Sequence, residues 1–196
     1  MQRHVNDEYV KRSKREGYRS RAAYKLLEIQ EKDVALKPGQ VVVDLGAAPG
    51  GWSQVAADII GPAGEVIALD ILEMAPMPGV TVIQGDFRED RALEALESVL
   101  EGRQVDLVIS DMAPNVSGVA AVDQPRAMYL CELAFEFCRQ HLRPGGGFIC
   151  KVFHGEGFDA WMRDIKARFG KVVTRKPKAS RAKSREVYLV AGNYHS

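Results

Sequence analysis

Five charged residues stand at the ends of apolar runs or directly after them, and these residues are the first candidates for chemistry. Four are aspartates and one is a lysine: Asp44, Asp70, Asp86, Asp111 and Lys151. A charge beside a buried run costs free energy unless it has a partner or a task. Carboxylates accept hydrogen bonds from hydroxyl or amine groups and balance cations, whereas an amine can accept or hold a proton. Each of the five is therefore a candidate functional residue.

The segment after the first apolar run is rich in glycine and reads DLGAAPGGW over residues 44–52. Glycines allow a tight strand-to-helix turn and close approach of the backbone to a ligand. The pattern is neither G-x-G-x-x-G nor a Walker loop, which disfavours a pyrophosphate and leaves a smaller nucleoside open. Asp70 lies 24 residues after Gly46, where an acid can accept both hydroxyls of a ribose. The pair predicts a nucleoside cofactor; the alternative is a tight turn with unrelated helix-capping acids.

Asp86 follows the next apolar run in the sequence QGDF, residues 84–87. A carboxylate at this position can accept a hydrogen bond from the exocyclic amine of adenine. It can equally be the N-cap of a helix that begins near Arg91. Spacing alone leaves both interpretations open.

These residues must be positioned by alternating strands and helices. Short β-branched runs bounded by turn residues predict buried strands, and apolar stripes between them predict helices. The predicted strands cover residues 41–45, 65–70, 80–83, 105–110, 147–152, 171–175 and 186–191. The predicted helices begin at residue 20 and cover 52–60, 91–100, 123–142 and 158–169. This alternation predicts a doubly wound α/β fold with a mostly parallel seven-stranded sheet and one antiparallel edge strand. Ligands of such sheets bind outside the carboxyl ends of the strands.

Length and composition bound the class of protein. A chain of 196 residues with 46% hydrophobic and 27% charged residues fits one soluble domain. No run approaches the roughly 18 apolar residues of a membrane helix, and the first residues lack a secretory signal. Three cysteines and four histidines, widely spaced, predict reduced thiols in the cytoplasm and no metal site.

The net charge of +1 conceals two basic ends. The balance is +4 over residues 1–21 and +7 over residues 171–185, against −9 over residues 22–170. This asymmetry favours an anionic partner, nucleic acid first, held by the two ends. The alternative is a pair of solvated tails that only aid solubility. Residues 1–18 are expected to form a mobile basic arm, and residues 19–196 a single domain.

Several of these motifs occur together in one known family. The segments DLGAAPGGWS (44–53), SDMAPN (110–115), FICKVF (148–153), SREVYL (184–189) and RSRAAYKL (19–26) resemble the FtsJ/RrmJ family. Its members are S-adenosylmethionine-dependent RNA ribose 2′-O-methyltransferases with a Rossmann-like fold. The resemblance runs from the basic arm to the last strand. It implies as substrate a uridine of 23S ribosomal RNA in the large ribosomal subunit.

The resemblance also implies roles for individual residues. The family's catalytic tetrad falls on Lys25, Asp111, Lys151 and Glu186. The cofactor contacts it implies are Gly46, Pro49, Gly50, Trp52, Asp70, Asp86 and Asp111. Lys151 is expected to accept or steer the proton of the ribose hydroxyl, and the alternative is a protonated Lys151 that stabilises the developing alkoxide.

RNA is expected to bind the two basic ends through phosphate contacts, which carry no sequence code. The predicted RNA contacts are Lys11, Arg12, Lys14, Arg19, Arg21, Arg175, Lys178, Arg181 and Lys183. The small chain, expected to be monomeric, predicts that specificity comes from a large shaped substrate rather than free RNA. Alternatives are methylation of a base amino group, of transfer RNA or of a messenger RNA cap. A further alternative is a ribosome-assembly factor whose RNA binding matters more than its catalysis.

Overall fold

The computed structural model describes residues 7–196. Six helices and seven strands lie in this part of the chain. The helices are α1 (Glu8–Glu16), α2 (Ala23–Asp33), α3 (Gly51–Ile60), α4 (Asp90–Leu100), α5 (Ala120–His141) and α6 (Phe158–Lys166). The strands are β1 (Val41–Leu45), β2 (Glu65–Asp70), β3 (Val80–Gln84), β4 (Val105–Ser110), β5 (Leu142–Phe153), β6 (Phe169–Arg175) and β7 (Glu186–Tyr194). The α/β class predicted from the alternating pattern is confirmed.

One seven-stranded sheet runs in the order β3-β2-β1-β4-β5-β7-β6. Strands β1 to β5 pair in parallel, and β7 is antiparallel to both of its neighbours, β5 and β6. The antiparallel strand expected at the edge therefore lies one position inside it, and β6 forms the edge. The reason is that β6 and β7 are consecutive and pair with each other, while β7 also takes the free side of β5.

Helices cover both faces of the sheet. Helices α2 and α3 pack on one face against Val42, Leu107, Ile149 and other side chains of the central strands. Helices α4, α5 and α6 pack on the other face, where Phe148 is one of the buried strand residues. Central strands covered on both sides are apolar at nearly every position, which explains the unbroken runs in the sequence.

The amino-terminal segment differs from its prediction. Instead of a mobile arm, residues 8–16 form helix α1, capped by Asp7 and ended by Gly17 in a left-handed conformation. Tyr9 and Tyr18 pack their rings against Tyr24 of α2, with centroids 5.7 and 5.4 Å apart. The helix carries few apolar residues, so periodicity could not reveal it. The part of the arm before residue 7 lies outside the described residues.

Strand β5 begins five residues earlier than predicted, because Leu142 already pairs with Val105 of β4. The register shifts between Val105 and Leu107, and the segment containing Pro144 is accommodated at this irregularity. The proline and glycines had predicted a turn. No helix among residues 7–196 combines the length and apolarity needed to cross a membrane.

An ion pair joins α2 to the edge strand β6. The guanidinium of Arg175 donates two hydrogen bonds to the carboxylate of Asp33, at 3.0 and 2.7 Å. The Asp33 side chain is only 2% exposed. Arg175, predicted to contact RNA, is thus engaged within the protein.

Replacing Arg175 by alanine leaves the buried carboxylate of Asp33 without its partner. We expect the free energy of unfolding to fall by about 2 to 3 kcal/mol, measured by urea denaturation. The matched control is Arg139→Ala, which removes an exposed pair with Glu136 on α5 and should cost less than about 0.5 kcal/mol. Equal effects of the two variants would contradict the structural role of Arg175.

Candidate active site

The carboxyl ends of the parallel strands meet at one edge of the sheet and carry the charged residues singled out in the sequence. Asp70 ends β2, Asp111 directly follows β4, and Lys151 lies near the end of β5. Because β7 is antiparallel, its first residue reaches the same edge, where Glu186 pairs with Phe153. The sheet topology therefore gathers residues that are far apart in the chain.

The four residues of the expected tetrad lie within ion-pair distance of one another in a chain. Nζ of Lys151 lies 3.4 Å from Oδ1 of Asp111 and 3.7 Å from Oε2 of Glu186. Nζ of Lys25, from α2, lies 3.2 Å from Oε1 of Glu186. All four side chains are between 11% and 16% exposed, so the charges are largely shielded yet reachable from solvent. Two amines and two carboxylates sum to zero charge, which makes their shared burial tolerable.

Two residues that the sequence did not single out hold the carboxylates in place. The hydroxyl of Tyr188 donates a 2.8 Å hydrogen bond to Oδ1 of Asp111. The hydroxyl of Ser180 donates a 2.8 Å bond to Oε1 of Glu186. Tyr188 pairs directly with Lys151 in the sheet and lies two residues after Glu186. Strand alternation places it on their face, a signal usable only once the register of β7 is known.

The charges of the site shift two ionisation equilibria in opposite directions. Burial raises the pKa of Glu186, but the charges of Lys25 and Lys151 and the bond from Ser180 outweigh it and lower the pKa overall. Burial, reinforced by the negative charges of Asp111 and Glu186, raises the pKa of Tyr188 far above its ordinary value. Glu186 is therefore ionised near neutral pH, and Tyr188 remains a hydrogen-bond donor.

Asp44 lies beneath the glycine-rich loop and is fully buried. Its Oδ2 accepts a 2.7 Å hydrogen bond from Ser53 of α3, whereas Oδ1 has no hydrogen-bond partner among residues 7–196. Burial is the main cause that raises the pKa of Asp44 to about 8; the bond from Ser53 opposes it, and the charges of Asp111 and Asp70 add to it. The carboxylates of Asp70 and Asp111 thus act on Asp44 from the ends of the neighbouring strands, and their negative charge favours a cationic ligand.

The loop after β1 runs alongside the end of β2. The amides of Gly46 and Ala47 both donate to the carbonyl of Leu69, at 2.8 and 3.1 Å, and Gly46 has a φ of +74° that favours glycine. The Asp70 carboxylate accepts hydrogen bonds from the amides of Ala48 and Leu72, one on each oxygen. A carboxylate has about four acceptor positions, so each oxygen keeps one for a ribose hydroxyl. The geometry fits the predicted nucleoside.

Asp86 is engaged by a neighbour. The guanidinium and amide of Arg88 donate to both carboxylate oxygens, with the shortest contact at 2.6 Å, and lower the pKa of Asp86. Its alternative role as the N-cap of α4 is wrong, because Glu89 occupies that position. An adenine amine bound by Asp86 must therefore share the carboxylate with Arg88.

The remaining expected cofactor contacts lie at the start of α3. Gly50 is its N-cap with φ of +118°, and a Cβ atom there would lie 3.1 Å from the side chain of Arg19. Arg19 also donates to the carbonyl oxygen of Pro49. Trp52 is 3% exposed and donates its indole N–H to the carbonyl of Ala22. Trp52 thus packs between α2 and the sheet, next to the site.

The predicted RNA contacts divide into two groups. Four have cationic groups engaged within the protein: Arg12 with Glu16, Arg19 with three carbonyls, Arg21 with Asp7 and the carbonyl of Ala179, and Arg175 with Asp33. Lys11, Lys14, Lys178 and Lys183 have exposed side chains, and Arg181 is exposed but also interacts within the protein. Arg21 connects the two basic ends of the chain, so they form one surface beside the tetrad.

The sheet order, the glycine loop and the acids at the strand ends together define a Rossmann-like methyltransferase. Among residues 7–196, His, Cys, Asp and Glu form no group of three that could hold a metal ion. The model of the FtsJ-like methyltransferase family matches residues 18–194. The chain belongs to this family, which implies a methyl-donor cofactor.

Similar proteins cover nearly all of the chain. It is 63% identical over 195 residues to the ribosomal RNA large subunit methyltransferase E of Chromohalobacter salexigens, covering 100% of this chain and 93% of that protein. Identity to the protein of the same name from Alkalilimnicola ehrlichii is 62% over 194 residues, covering 99% and 93%. A crystal structure from Plasmodium falciparum, described as a ribosomal RNA methyltransferase, matches with a TM-score of 0.80 and 32% identity over 90% of this chain and 98% of that one.

The buried carboxyl group of Asp44 makes the stability of the protein depend on pH. Its pKa of about 8 lies above that of an unfolded aspartate, about 3.9, so the unfolded state loses a proton first. The free energy of unfolding should therefore fall as pH rises between these values. We expect Asp44→Asn to gain at least about 1 kcal/mol relative to wild type between pH 5 and pH 8, measured by urea denaturation.

The control for this prediction is Asp58→Asn, which replaces an exposed acid on α3. It should follow the wild-type pH dependence. If Asp44→Asn does the same, Asp44 does not titrate as inferred.

Proposed function

We propose that the protein transfers the methyl group of S-adenosylmethionine to the ribose 2′-hydroxyl of a uridine in 23S ribosomal RNA of the large ribosomal subunit. The observation that carries the proposal is the position of Lys151 between Asp111 and Glu186, beside the acid-lined nucleoside site. An amine held at this point can reach the hydroxyl of a bound nucleotide. The names of the relatives support the ribosomal substrate.

The cofactor supplies a methyl group activated by a sulfonium cation, and the residues present fit it. Asp70 has acceptor positions left for the two ribose hydroxyls. Asp86 would accept a hydrogen bond from the adenine amine while sharing its carboxylate with Arg88. The backbone of the loop from Gly46 through Pro49 to Gly50 would contact the cofactor. Asp111 would supply negative charge to a bound sulfonium cation, for which a carboxylate is a favourable neighbour.

In the proposed mechanism the tetrad removes the proton of the ribose 2′-hydroxyl. Methyl transfer is an in-line displacement at carbon, so much of the acceleration comes from positioning. An uncharged Nζ of Lys151, which has first given its own proton to solvent, would accept the proton of the attacking 2′-hydroxyl as the oxygen–carbon bond forms and the carbon–sulfur bond breaks. Asp111, fixed by Tyr188, and Glu186, fixed by Ser180 and Lys25, hold the amine in place. The same two carboxylates then stabilise the ammonium that results.

The exposed basic side chains indicate where RNA would bind. The exposed basic side chains of α1 and of the loop before β7 lie on either side of Arg21, which joins these segments. Phosphate contacts of this kind bind without reading sequence. The target ribose must be exposed or turned out of a helix for its 2′-hydroxyl to reach the tetrad.

Substitution of Lys151 tests the mechanism. We expect Lys151→Ala to lower kcat at least about 100-fold, because a proton acceptor contributes 10² to 10⁴ in rate. Lys151→Arg keeps a positive charge but cannot accept a proton, so it should be equally inactive. The assay uses large ribosomal subunits and labelled methyl donor, with calorimetric binding of S-adenosylhomocysteine to show that the cofactor site is intact.

The matched control is Lys37→Ala, an exposed lysine before β1 at the opposite edge of the sheet, which should keep wild-type kcat. If Lys151→Arg is active, Lys151 is not the proton acceptor. Its role would then be the alternative one, stabilisation of the developing alkoxide by a positive charge. A ribose 2′-O-methyl group makes its linkage resistant to alkali. If alkali still cleaves at the labelled nucleotide, the methyl group is not on the ribose, and methylation of a base amino group is favoured.

The described residues 7–196 form one sheet with helices on both faces, and we expect the shape of the substrate to provide specificity. We expect kcat/KM on purified large subunits to exceed that on a short RNA of the same target sequence by at least about 100-fold, a difference of about 2.7 kcal/mol. Comparable rates on both substrates would contradict this expectation. Normal subunit assembly in cells that hold only Lys151→Ala would instead favour the assembly-factor alternative.

A further inference from the structure

A groove between α6 and the edge strand β6 takes no part in the site described above. It has a volume of about 420 Å³. Helix α6 packs on the face of the sheet opposite to α2, which carries Lys25. The residues that line the groove are His154, Phe158, Asp159, Met162, Arg163, Lys166 and Thr174.

Two aromatic rings meet in this groove. The rings of His154 and Phe158 have centroids 4.5 Å apart and planes inclined by 47°. His154 is exposed, and Phe158 is half-buried because part of its ring packs on the core. Aromatic rings at the rim of a groove can stack on a nucleotide base. Such stacking does not depend on which base is bound.

The charges of the groove suit the phosphates of the same ligand. Arg163 and Lys166 are exposed and three residues apart on α6, so they share one side of the helix. Asp159 is the one carboxylate in the lining of the groove. Cations beside an aromatic platform are the combination that binds single-stranded nucleic acid.

The groove lies just past the end of β5 from the tetrad, on the other face of the sheet. Lys151 precedes His154 by three residues, a span of at most about 11 Å. The amide of His154 donates a 3.2 Å hydrogen bond to the carbonyl of Arg185, the residue before Glu186. A strand bound at the tetrad would therefore have to pass the end of β5 to enter the groove.

We propose that this groove binds a nucleotide of the RNA substrate that flanks the methylated one. Its base lies against His154 and Phe158, and its phosphates face Arg163 and Lys166. The inference rests on the proposed function, since it requires an RNA strand at the tetrad. It extends the RNA contact past the end of β5, to the far side of the sheet from α2.

Substitutions that remove the aromatic faces test the proposal. Phe158→Leu keeps an apolar side chain against the core, and His154→Ala removes an exposed ring. Each should raise KM for large subunits about five-fold or more, as expected for one lost stacking contact, while kcat and calorimetric binding of S-adenosylhomocysteine stay unchanged. Phe158→Tyr and His154→Tyr retain an aromatic face and should keep a near wild-type KM.

The cations are tested through salt dependence. In the double variant Arg163→Ala/Lys166→Ala, the slope of log affinity against log salt for a single-stranded target RNA should fall by about 0.7 for each cation removed. Lys37→Ala is the matched control and should keep the wild-type slope.

The outcomes separate this inference from the function on which it rests. If wild type methylates the subunit while the leucine and alanine variants keep its KM, the groove proposal is overturned and the proposed function stands. If wild type methylates no RNA, both fall. A rise in KM that the tyrosine variants share would also overturn the groove proposal, because loss of fit rather than loss of stacking would then be the cause.

Discussion

The site depends on a balance of charge among Lys25, Asp111, Lys151 and Glu186. Two ammonium groups and two carboxylates lie in a chain of contacts of 3.2, 3.7 and 3.4 Å with little exposure to water. Removing any one leaves a net charge in a shielded place, which costs several kcal/mol. The four charges meet only when strands β4, β5 and β7 pair in the correct register and helix α2 packs against them. Formation of the site therefore requires formation of the whole fold.

Much of the fold could be predicted because the central strands are covered on both faces. Strands β2 and β4 have the bounds that their apolar runs predict, and the charged residues at the strand ends do lie at one edge. What could not be predicted depends on contacts between distant segments. Tyr188 and Ser180 reach their carboxylates only through the register of β7 and the fold of the preceding loop. Helix α1 lacks the apolar stripe by which helices are detected.

The basic ends illustrate the limit of reading charge from a sequence. Arg21 and Arg175 count toward the same positive balance as the exposed lysines, yet each is bound to an acid of the protein. Part of the positive charge is bound within the protein, and exposed lysines such as Lys11, Lys14 and Lys183 account for another part. An arginine, with five donors in a rigid fork, suits such pairing within the protein. The amount of positive charge can be counted in the sequence, but which cations pair within the protein and which are exposed cannot.

The place of β7 in the sheet has a consequence for the timing of activity. This strand follows all others in the chain but inserts between β5 and β6, bringing Glu186 and Tyr188 with it. Domains form as the chain is synthesised from its amino end. Until residues 186–194 have left the ribosome and paired with β5, the nascent protein lacks one carboxylate of its tetrad and the tyrosine that fixes another. Under the proposed mechanism, an unfinished chain is therefore inactive even when its glycine loop has already folded.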